Sequence, residues 1–342
     1  MSMMVEIKEK TIWEHHLKQL SGSIFLLDWW WGEFQKSTKR EVYRLVWVRE
    51  GLSRAAAQVF FQPFFGHIGY GVVTRCPLYA EDITREEQKK IEEDLVAWCA
   101  GDHGKQRWVF WRFEPLVDLE AEFFGVFKIP TRQPQTTLLL EVSRNPEILL
   151  QEMHEKTRYN IRLASKKDLA CRVIPAAEVT REVFNAFWGL MGETGERAGI
   201  RSHQKVYYWQ LFQTASLERA SDVYLILISK ENQMLAAGVF IGSGDTLTYL
   251  YGASSNRERN SMAPYFMHWQ MILFAHTHGL RWYDWWGVNP ESVSHDAYKK
   301  SWEGITRFKE GFGGIRTAYP QAREIPIDSH LFKAYQLVKR II

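Results

Sequence analysis

The order of predicted elements repeats between the two halves of this chain, and that repetition limits its fold more than any single motif does. Each half runs through helices, a set of short alternating strands joined by turn residues, one further helix and one further strand. The pattern predicts an α/β fold class, in detail α+β with mixed sheets, built from two similar domains. No sequence repeat is visible, so the duplication rests on element order alone.

The predicted domain boundary lies between the two series of elements. Domain 1 is expected to comprise residues 1–145 together with 321–342, since the final helix, about 328–342, would pack back on it. Domain 2 is expected to comprise residues 146–320. A chain of 342 residues fits two domains of ordinary size, and its 46% hydrophobic residues suffice for packed cores.

Charge and aromatic content narrow the classes of partner. Lys and Arg total 43 against 40 Asp and Glu, a formal charge of +3, whereas a general polyanion binder is usually more basic. An anionic partner would therefore have to be held by a local basic patch. The 14% aromatic content, with 15 Trp, suits either a core or stacking against sugars and bases.

Cysteine usage and the absence of apolar segments predict a cytoplasmic protein. Cys76, Cys99 and Cys171 lie far apart without metal-ligand spacing, and their odd number argues against a disulfide framework. The histidines form no recognisable ligand set, so no metal is expected. The N-terminal segment is charged and resembles no secretory signal, and no uncharged apolar run is long enough to span a bilayer.

The segment 302–314 places aromatic, basic and small residues side by side near the C-terminus. Lys309 offers a charge that can meet a phosphate or a developing oxyanion, and Phe308 offers a flat apolar face beside it. The glycines at the end of the segment are expected to permit a close approach or a positive φ. The composition favours an anion-binding loop, although surface loops with other roles share it.

A strongly basic helix is predicted over residues 145–169. Arg158, Arg162 and Lys166 share one face by their i, i+4 spacing, with Tyr159 beside them. This face suits the phosphates of a tRNA or of a nucleotide diphosphate. On composition alone, a solvated amphipathic helix is the stronger explanation of the same residues.

A predicted strand over 246–251 carries Tyr249 and Tyr251, which alternation places on one face. The loop that follows leads into a helix over 262–278, and the N-terminus of a helix is a natural anion site. A plain strand–turn–helix connection is the alternative.

Two carboxylates belong to predicted strands. Asp284 lies in an apolar strand and needs a partner, and a hydrogen bond to a nearby backbone turn explains it better than catalysis does. Glu114 ends the strand 108–113 before Pro115 and is a candidate general base. An exposed structural glutamate fits that position equally well.

Six segments, in order along the chain, resemble motifs of the Fem family of peptidoglycan bridge aminoacyltransferases. They are Trp31–Lys36, Arg112–Pro115, Lys156–Ala164, Tyr249–Ser254, Tyr283–Gly287 and Arg307–Gly314. The resemblance implies two N-acetyltransferase-like domains with a cleft between them, domain 1 binding the acceptor and domain 2 facing the aminoacyl-tRNA. The chain has no heptad run between 180 and 215, so it resembles the compact members without a coiled-coil arm, the UDP-MurNAc-pentapeptide alanyltransferase type.

The resemblance further implies that an amino acid moves from aminoacyl-tRNA to the side-chain amine of the stem peptide, in UDP-MurNAc-pentapeptide or in lipid II. No cofactor is implied, and a lipid-linked acceptor would bring peripheral membrane association. Lys309 and Phe308 would act at the ester and the tRNA end, with Glu114 as proton acceptor. The residues implied in substrate binding are Lys36, Arg158, Arg162, Arg201, Tyr207, Tyr249 and Tyr251.

Two other functions stay open. One is an acetyl-CoA-dependent N-acetyltransferase of similar fold, although Arg257-x-x-Asn260-x-Met262 lacks the glycines of the pyrophosphate cradle in that class. The other is an inactive protein that binds the precursor or tRNA, against which the presence of Lys309 and Glu114 argues.

Overall fold

A computed structural model describes residues 2–22, 24–123, 126–199 and 202–339. Its strands are β1 (Met3–Glu6), β2 (Glu41–Arg49), β3 (Leu52–Phe65), β4 (Ile68–Thr74), β5 (Leu78–Tyr79), β6 (Arg107–Glu114), β7 (Phe127–Lys128), β8 (Thr136–Glu141), β9 (Ala170–Pro175), β10 (Val223–Lys230), β11 (Gln233–Ser243), β12 (Thr246–Ser254), β13 (Trp282–Gly287), β14 (Ile315–Ala318) and β15 (Arg323–Pro326). Its α-helices are α1 (Lys10–Leu17), α2 (Trp29–Ser37), α3 (Arg85–Cys99), α4 (Pro146–Glu152), α5 (Glu155–Ala164), α6 (Arg181–Ala198), α7 (Lys205–Leu217), α8 (Ala263–Thr277), α9 (Glu303–Glu310) and α10 (Ser329–Lys339).

The chain divides into two compact units, residues 1–135 with 319–342 and residues 136–318. The sheet of the first unit has the order β1-β2-β3-β4-β6-β15-β7, with β5 paired to β3. The sheet of the second unit has the order β14-β8-β13-β12-β11-β10-β9. The predicted α/β fold class with mixed sheets is therefore confirmed.

Both units follow one topology, as the repeated element order predicts. In each, a meander of three antiparallel strands leads through a helix to a strand that pairs parallel with the last of the three. The helices are α3 in the first unit and α8 in the second. Parallel neighbours need a long crossover, which a hairpin cannot supply and a helix can.

Short polar residues set several helix boundaries. The Thr84 hydroxyl accepts a hydrogen bond of 3.2 Å from the Glu87 N–H and thereby caps the start of α3. The basic segment predicted as one helix is instead divided into α4 and α5, because Met153 has extended backbone and the His154 side chain caps the second helix. The prediction of a continuous helix was wrong at this point.

The core of the second unit forms where α8 covers the sheet. Met267, Met271 and Ile272 of α8 pack against Phe240 and Tyr283 of the strands. The helix is apolar on nearly all sides because strands lie on one side of it and α5 on another. Among the residues that the structure describes, no helix has both the length and the apolar character to cross a membrane.

Candidate functional site at the opening between β12 and β13

β12 and β13 pair over a short distance and then separate. Their parallel pairing covers Thr246–Thr248 against Trp282–Asp284, after which β12 continues along β11 and β13 continues along β8. In the first unit, by contrast, β4 and β6 stay paired along all of β4. The second sheet therefore has a gap between two neighbouring strands, here called the β12–β13 opening, and the candidate site surrounds it.

A bulge in β13, held by Asp284, shapes one side of this opening. The register with β8 shifts between Asp284 and Gly287, and Trp286 has a φ of 56°. The Asp284 carboxylate accepts a hydrogen bond of 2.7 Å from the Trp286 N–H and another from the Thr137 hydroxyl. The predicted structural role of Asp284 is confirmed, because these bonds stabilise a backbone conformation that a bulky residue rarely adopts.

Lys309 lies at the opening and is almost fully buried, with 6% of its surface exposed. Its Nζ donates hydrogen bonds of 2.7 Å to the carbonyl oxygens of Trp285 and Gly287, in the part of β13 that β12 has left. Burial lowers the pKa of Lys309 to about 7, and the negative charge of Asp284 opposes this decrease. An ammonium group has three hydrogens, so the protonated form keeps one donor beyond those two carbonyls.

Phe308 and Lys309 belong to the helix α9, so the prediction of an anion-binding loop was wrong. The positive φ expected of the following glycines is confirmed at Gly313 and Gly314, with values of 88° and 115°. The close approach expected at Gly311 is confirmed, but the group that approaches is the Thr157 side chain of α5 and not a ligand. A Cβ at position 311 would clash with the Thr157 hydroxyl. These glycines therefore serve the packing of α9 against α5 and β8.

A pocket of about 750 Å³ lies next to the opening, within the second unit. Four aromatic side chains line it: Tyr249, Tyr265, His268 and Phe308. Residues 257–263, which join β12 to α8, line it as well. Lys309 does not line the pocket, but its Nζ lies 5.5 Å from the centre of the Tyr249 ring, so its charge stands next to the aromatic wall.

His268 is the pocket residue that sequence reasoning missed. It is 1% exposed, its Nδ1 lies 2.6 Å from the Tyr283 hydroxyl, and its ring centre is 4.5 Å from those of Tyr249 and Trp285. Burial, and secondly the charge of Lys309, lower the pKa of His268 well below its usual value, so the ring is neutral. The sequence offered one sign of it, a histidine inside a largely apolar helix, with no other histidine or cysteine at the spacing of metal ligands. Within the described ranges, no cluster of His, Cys, Asp and Glu could hold a metal ion.

Tyr249 and Tyr251 have different neighbours, so the prediction that they share one face was wrong. The register against β11 shifts between them, which makes Leu250 a bulge and ends the alternation of the strand. Tyr249 packs on α8, whereas Tyr251 packs on α7 and its hydroxyl lies 3.4 Å from that of Tyr207. Tyr207 and Tyr251 are thus brought together, and neither lines the pocket.

The basic residues of α5 divide into one that holds the neighbouring helix and others that are exposed to solvent. Arg158 donates hydrogen bonds to two carbonyl oxygens at the C-terminal end of α4, where a cation is favourable. Arg162 is exposed, and Tyr159 beside it is 62% exposed. Lys166 lies beyond the end of α5, so only part of the predicted face is helical.

The remaining predicted site residues lie outside this group. Lys36 is an exposed residue of α2 and forms an ion pair of 2.7 Å with a glutamate one turn earlier. Glu114 is buried at the end of β6, where its two carboxylate oxygens accept backbone N–H groups at 2.7 and 3.1 Å. These bonds fix a loop, and the role of Glu114 as proton acceptor stays a prediction. Arg201 lies outside the described residues.

Comparison with known proteins relates this geometry to one family. The model of the FemAB family matches residues 119–228 and 213–340. The chain is 22% identical over 238 residues to the lipid II:glycine glycyltransferase of Staphylococcus haemolyticus, and 29% identical over 107 residues to the aminoacyltransferase FemA of Staphylococcus epidermidis. These matches cover 50% and 31% of this chain, and only 56% and 25% of the two relatives.

Solved structures share the fold. A crystal structure of FemX superposes with a TM-score of 0.78 at 17% identity, covering 96% of this chain and 99% of that one. A tandem GNAT protein from the clavulanic acid biosynthesis pathway superposes with a TM-score of 0.54 at 10% identity, covering 95% and 99%. The predicted pair of N-acetyltransferase-like folds is thereby confirmed. Because the family model spans more than half of its residues, the chain belongs to the FemAB family.

Proposed function

We propose that this protein transfers an aminoacyl group from aminoacyl-tRNA to the side-chain amine of a peptidoglycan stem peptide, carried by UDP-MurNAc-pentapeptide or lipid II. Membership of the FemAB family supports an aminoacyltransferase, and one relative is named for lipid II and glycine. The observation that carries the proposal is the buried Lys309 beside Tyr249, His268 and Phe308 at the β12–β13 opening.

Lys309 is proposed to stabilise charge in the transition state. The neutral acceptor amine attacks the ester carbonyl, the C–N bond forms as the bond to the ribose oxygen breaks, and the proton lost by the amine ends on that ribose oxygen. Negative charge develops on the carbonyl oxygen, where a desolvated ammonium is favourable. At a distance of about 6 Å and an effective dielectric constant of about 20, one unit charge contributes about 3 kcal/mol, or roughly a hundredfold in rate.

The other predicted residues take supporting parts in this proposal. Phe308 offers a ring on which the terminal adenosine can stack. The exposed Arg162 offers charge to the RNA backbone. Lys36, Arg201, Tyr207 and Tyr251 are proposed to bind the acceptor. Glu114 is proposed to take up the proton of the acceptor amine on its way to the ribose oxygen. On this assignment the first unit contributes Lys36 to the acceptor, and the second unit contributes Arg201, Tyr207 and Tyr251 to the acceptor as well as the residues for the donor.

A lipid-linked acceptor would bring the protein to the cytoplasmic face of a membrane, and we propose peripheral association through the first unit. Phe65, the last residue of β3, is 78% exposed, and Phe64 next to it is 47% exposed. The Phe64 ring stacks at 5.9 Å on Tyr335 of α10, which also exposes Leu337. Exposed aromatic side chains, with an exposed aliphatic side chain on the helix that one of them contacts, suit insertion into a lipid interface.

Incubation with a mixed pool of aminoacyl-tRNAs and each acceptor, followed by mass spectrometry of the acceptor, tests the proposed function. The mass added should equal one amino-acid residue and would identify which one. A product with UDP-MurNAc-pentapeptide but not lipid II would fix the soluble acceptor, and the reverse result the lipid-linked one. No product with either acceptor would favour a binding protein without activity.

A further inference from the structure

Arg44 of β2 is a buried arginine in the first unit, with 2% of its surface exposed. Its Nη2 donates hydrogen bonds of 2.9 Å to the Glu33 carboxylate and 3.0 Å to the carbonyl oxygen of Trp29. Its Nε donates a third, of 2.9 Å, to the side-chain oxygen of Gln58. A buried guanidinium is unfavourable unless it is paired in this way, so the network fixes where Glu33 lies relative to β2.

The helix α2 packs closely on this arginine. A Cβ at position 32 would clash with the Arg44 guanidinium and with the Gln58 side chain, so only a glycine fits there. The Arg44 Cζ also lies 3.6 Å from the centre of the Trp29 ring, at the start of the same helix. Glu33 directly follows Gly32, and the close packing therefore holds its carboxylate beside the buried arginine.

Glu33 connects this buried arginine to the exposed Lys36. Its Oε1 accepts both the hydrogen bond of Arg44 and a hydrogen bond of 2.7 Å from the Lys36 Nζ. The exposed fraction of the side chain is 3% for Arg44, 20% for Glu33 and 44% for Lys36. The three groups thus form a chain of charges, here called the Arg44–Glu33–Lys36 triad, that leads from the interior to the surface.

The charges of the triad determine what Lys36 can attract. In a pair of Glu33 and Lys36 alone, the carboxylate would cancel the charge of the lysine. Arg44 opposes the charge of that carboxylate from the buried side, so the three groups together carry one positive charge, which Lys36 presents to solvent. Because solvent and salt screen a buried charge less than an exposed one, the contribution of Arg44 reaches an anion bound at Lys36.

We infer that Arg44 is a positioning residue for the acceptor: it holds Glu33 and offsets its charge, so that Lys36 can bind an anionic group. The inference rests on the proposed function, which gives Lys36 a role in binding the acceptor. It adds that the affinity for the acceptor depends on the net charge of the triad and not on Lys36 alone.

Steady-state kinetics with the acceptor that wild type uses, at saturating aminoacyl-tRNA, tests this inference. Arg44→Gln should raise the KM for the acceptor about tenfold, the order expected when one unit charge is lost about 10 Å from an anion. The turnover number should change little, because the triad is not proposed to act in the chemical step. Glu33→Gln, which keeps both cations and an oxygen that can accept from Lys36, should not raise the KM.

The double variant Arg44→Gln/Glu33→Gln gives the sharpest result, because its net charge equals that of wild type. It should recover most of the affinity that Arg44→Gln loses, whereas a merely structural role of Arg44 predicts no recovery. Arg54→Gln is the matched control: Arg54 is 5% exposed, belongs to the same unit and pairs with Glu87 and Asp82. It should lower the melting temperature and leave the KM for the acceptor unchanged.

Lys36→Met separates failure of this inference from failure of the proposed function. If it raises the KM for the acceptor while Arg44→Gln does not, or while the double variant shows no recovery, the inference is refuted and the role of Lys36 stands. A rise in KM with Glu33→Gln would also refute the inference, and that variant avoids any loss of folding caused by removing a buried arginine. No turnover by wild type with any acceptor would refute the proposed function itself.

Discussion

At the residue scale, Lys309→Met should lower the turnover number about a hundredfold with little change in KM. The methionine fills a similar volume but lacks the charge that we assign to transition-state stabilisation. Lys300→Met is a matched control, because Lys300 is exposed in the turn just before α9. Steady-state kinetics with a charged tRNA would measure both. Equal turnover in wild type and Lys309→Met would remove Lys309 from the chemistry.

The lowered pKa of Lys309 also predicts how stability depends on pH. The native lysine loses its proton at about pH 7, whereas the unfolded chain keeps it up to the ordinary value of 10.5. Between these pH values the unfolded state binds more protons than the native state. The difference in the free energy of unfolding between wild type and Lys309→Met should therefore rise with pH, by up to about 1.4 kcal/mol per pH unit, in favour of wild type. Below pH 7 the difference should be constant. Denaturant titrations at several pH values measure it, and a flat difference up to pH 10 would show that the native pKa is not lowered.

At the scale of the element, the stability of the bulge in β13 should depend more on the hydrogen bonds that Asp284 accepts than on the charge of Asp284. Asp284→Ala leaves the Trp286 N–H without its acceptor inside the protein, so the second unit should lose about 1–3 kcal/mol of stability. Asp284→Asn keeps an acceptor and should lose less. Because the Asp284 charge raises the pKa of Lys309, the Asn variant should still lose activity at neutral pH. Thermal melting and turnover of the two variants separate the effects, and equal stability in both would contradict this account of the bulge.

The sequence predicted the central meander of the second sheet, β10 to β12, because Gly, Asn and Asp mark its turns and alternation marks its strands, but it predicted neither β9 nor β14. It could not predict the bulge at Leu250, since a period of two gives no sign of where one extra residue enters a strand. It mistook α9 for a loop because Gly304 and Gly311 lie at the ends of a helix only eight residues long. His268 was missed because burial in an apolar helix leaves no periodic pattern.

At the scale of the whole molecule, the exposed aromatic end of β3 in the first unit should control membrane binding. Phe65→Ser removes the more exposed of the two phenylalanines at the end of β3 and should reduce cosedimentation with anionic lipid vesicles several-fold. Leu217→Ser, an equally exposed apolar residue of α7, serves as the control. Turnover of a soluble acceptor should not change. Equal sedimentation of Phe65→Ser and wild type would refute association through this surface.

The central claim concerns the donor, and a comparison of donors tests it most directly. The protein is mixed with UDP-MurNAc-pentapeptide or lipid II and, in parallel, with an aminoacyl-tRNA pool, the same pool digested with ribonuclease, or acetyl-CoA. Mass spectrometry of the acceptor should show the addition of one amino-acid residue with the intact pool alone. An added acetyl group with acetyl-CoA, or an amino-acid residue added equally well after digestion, would contradict the account.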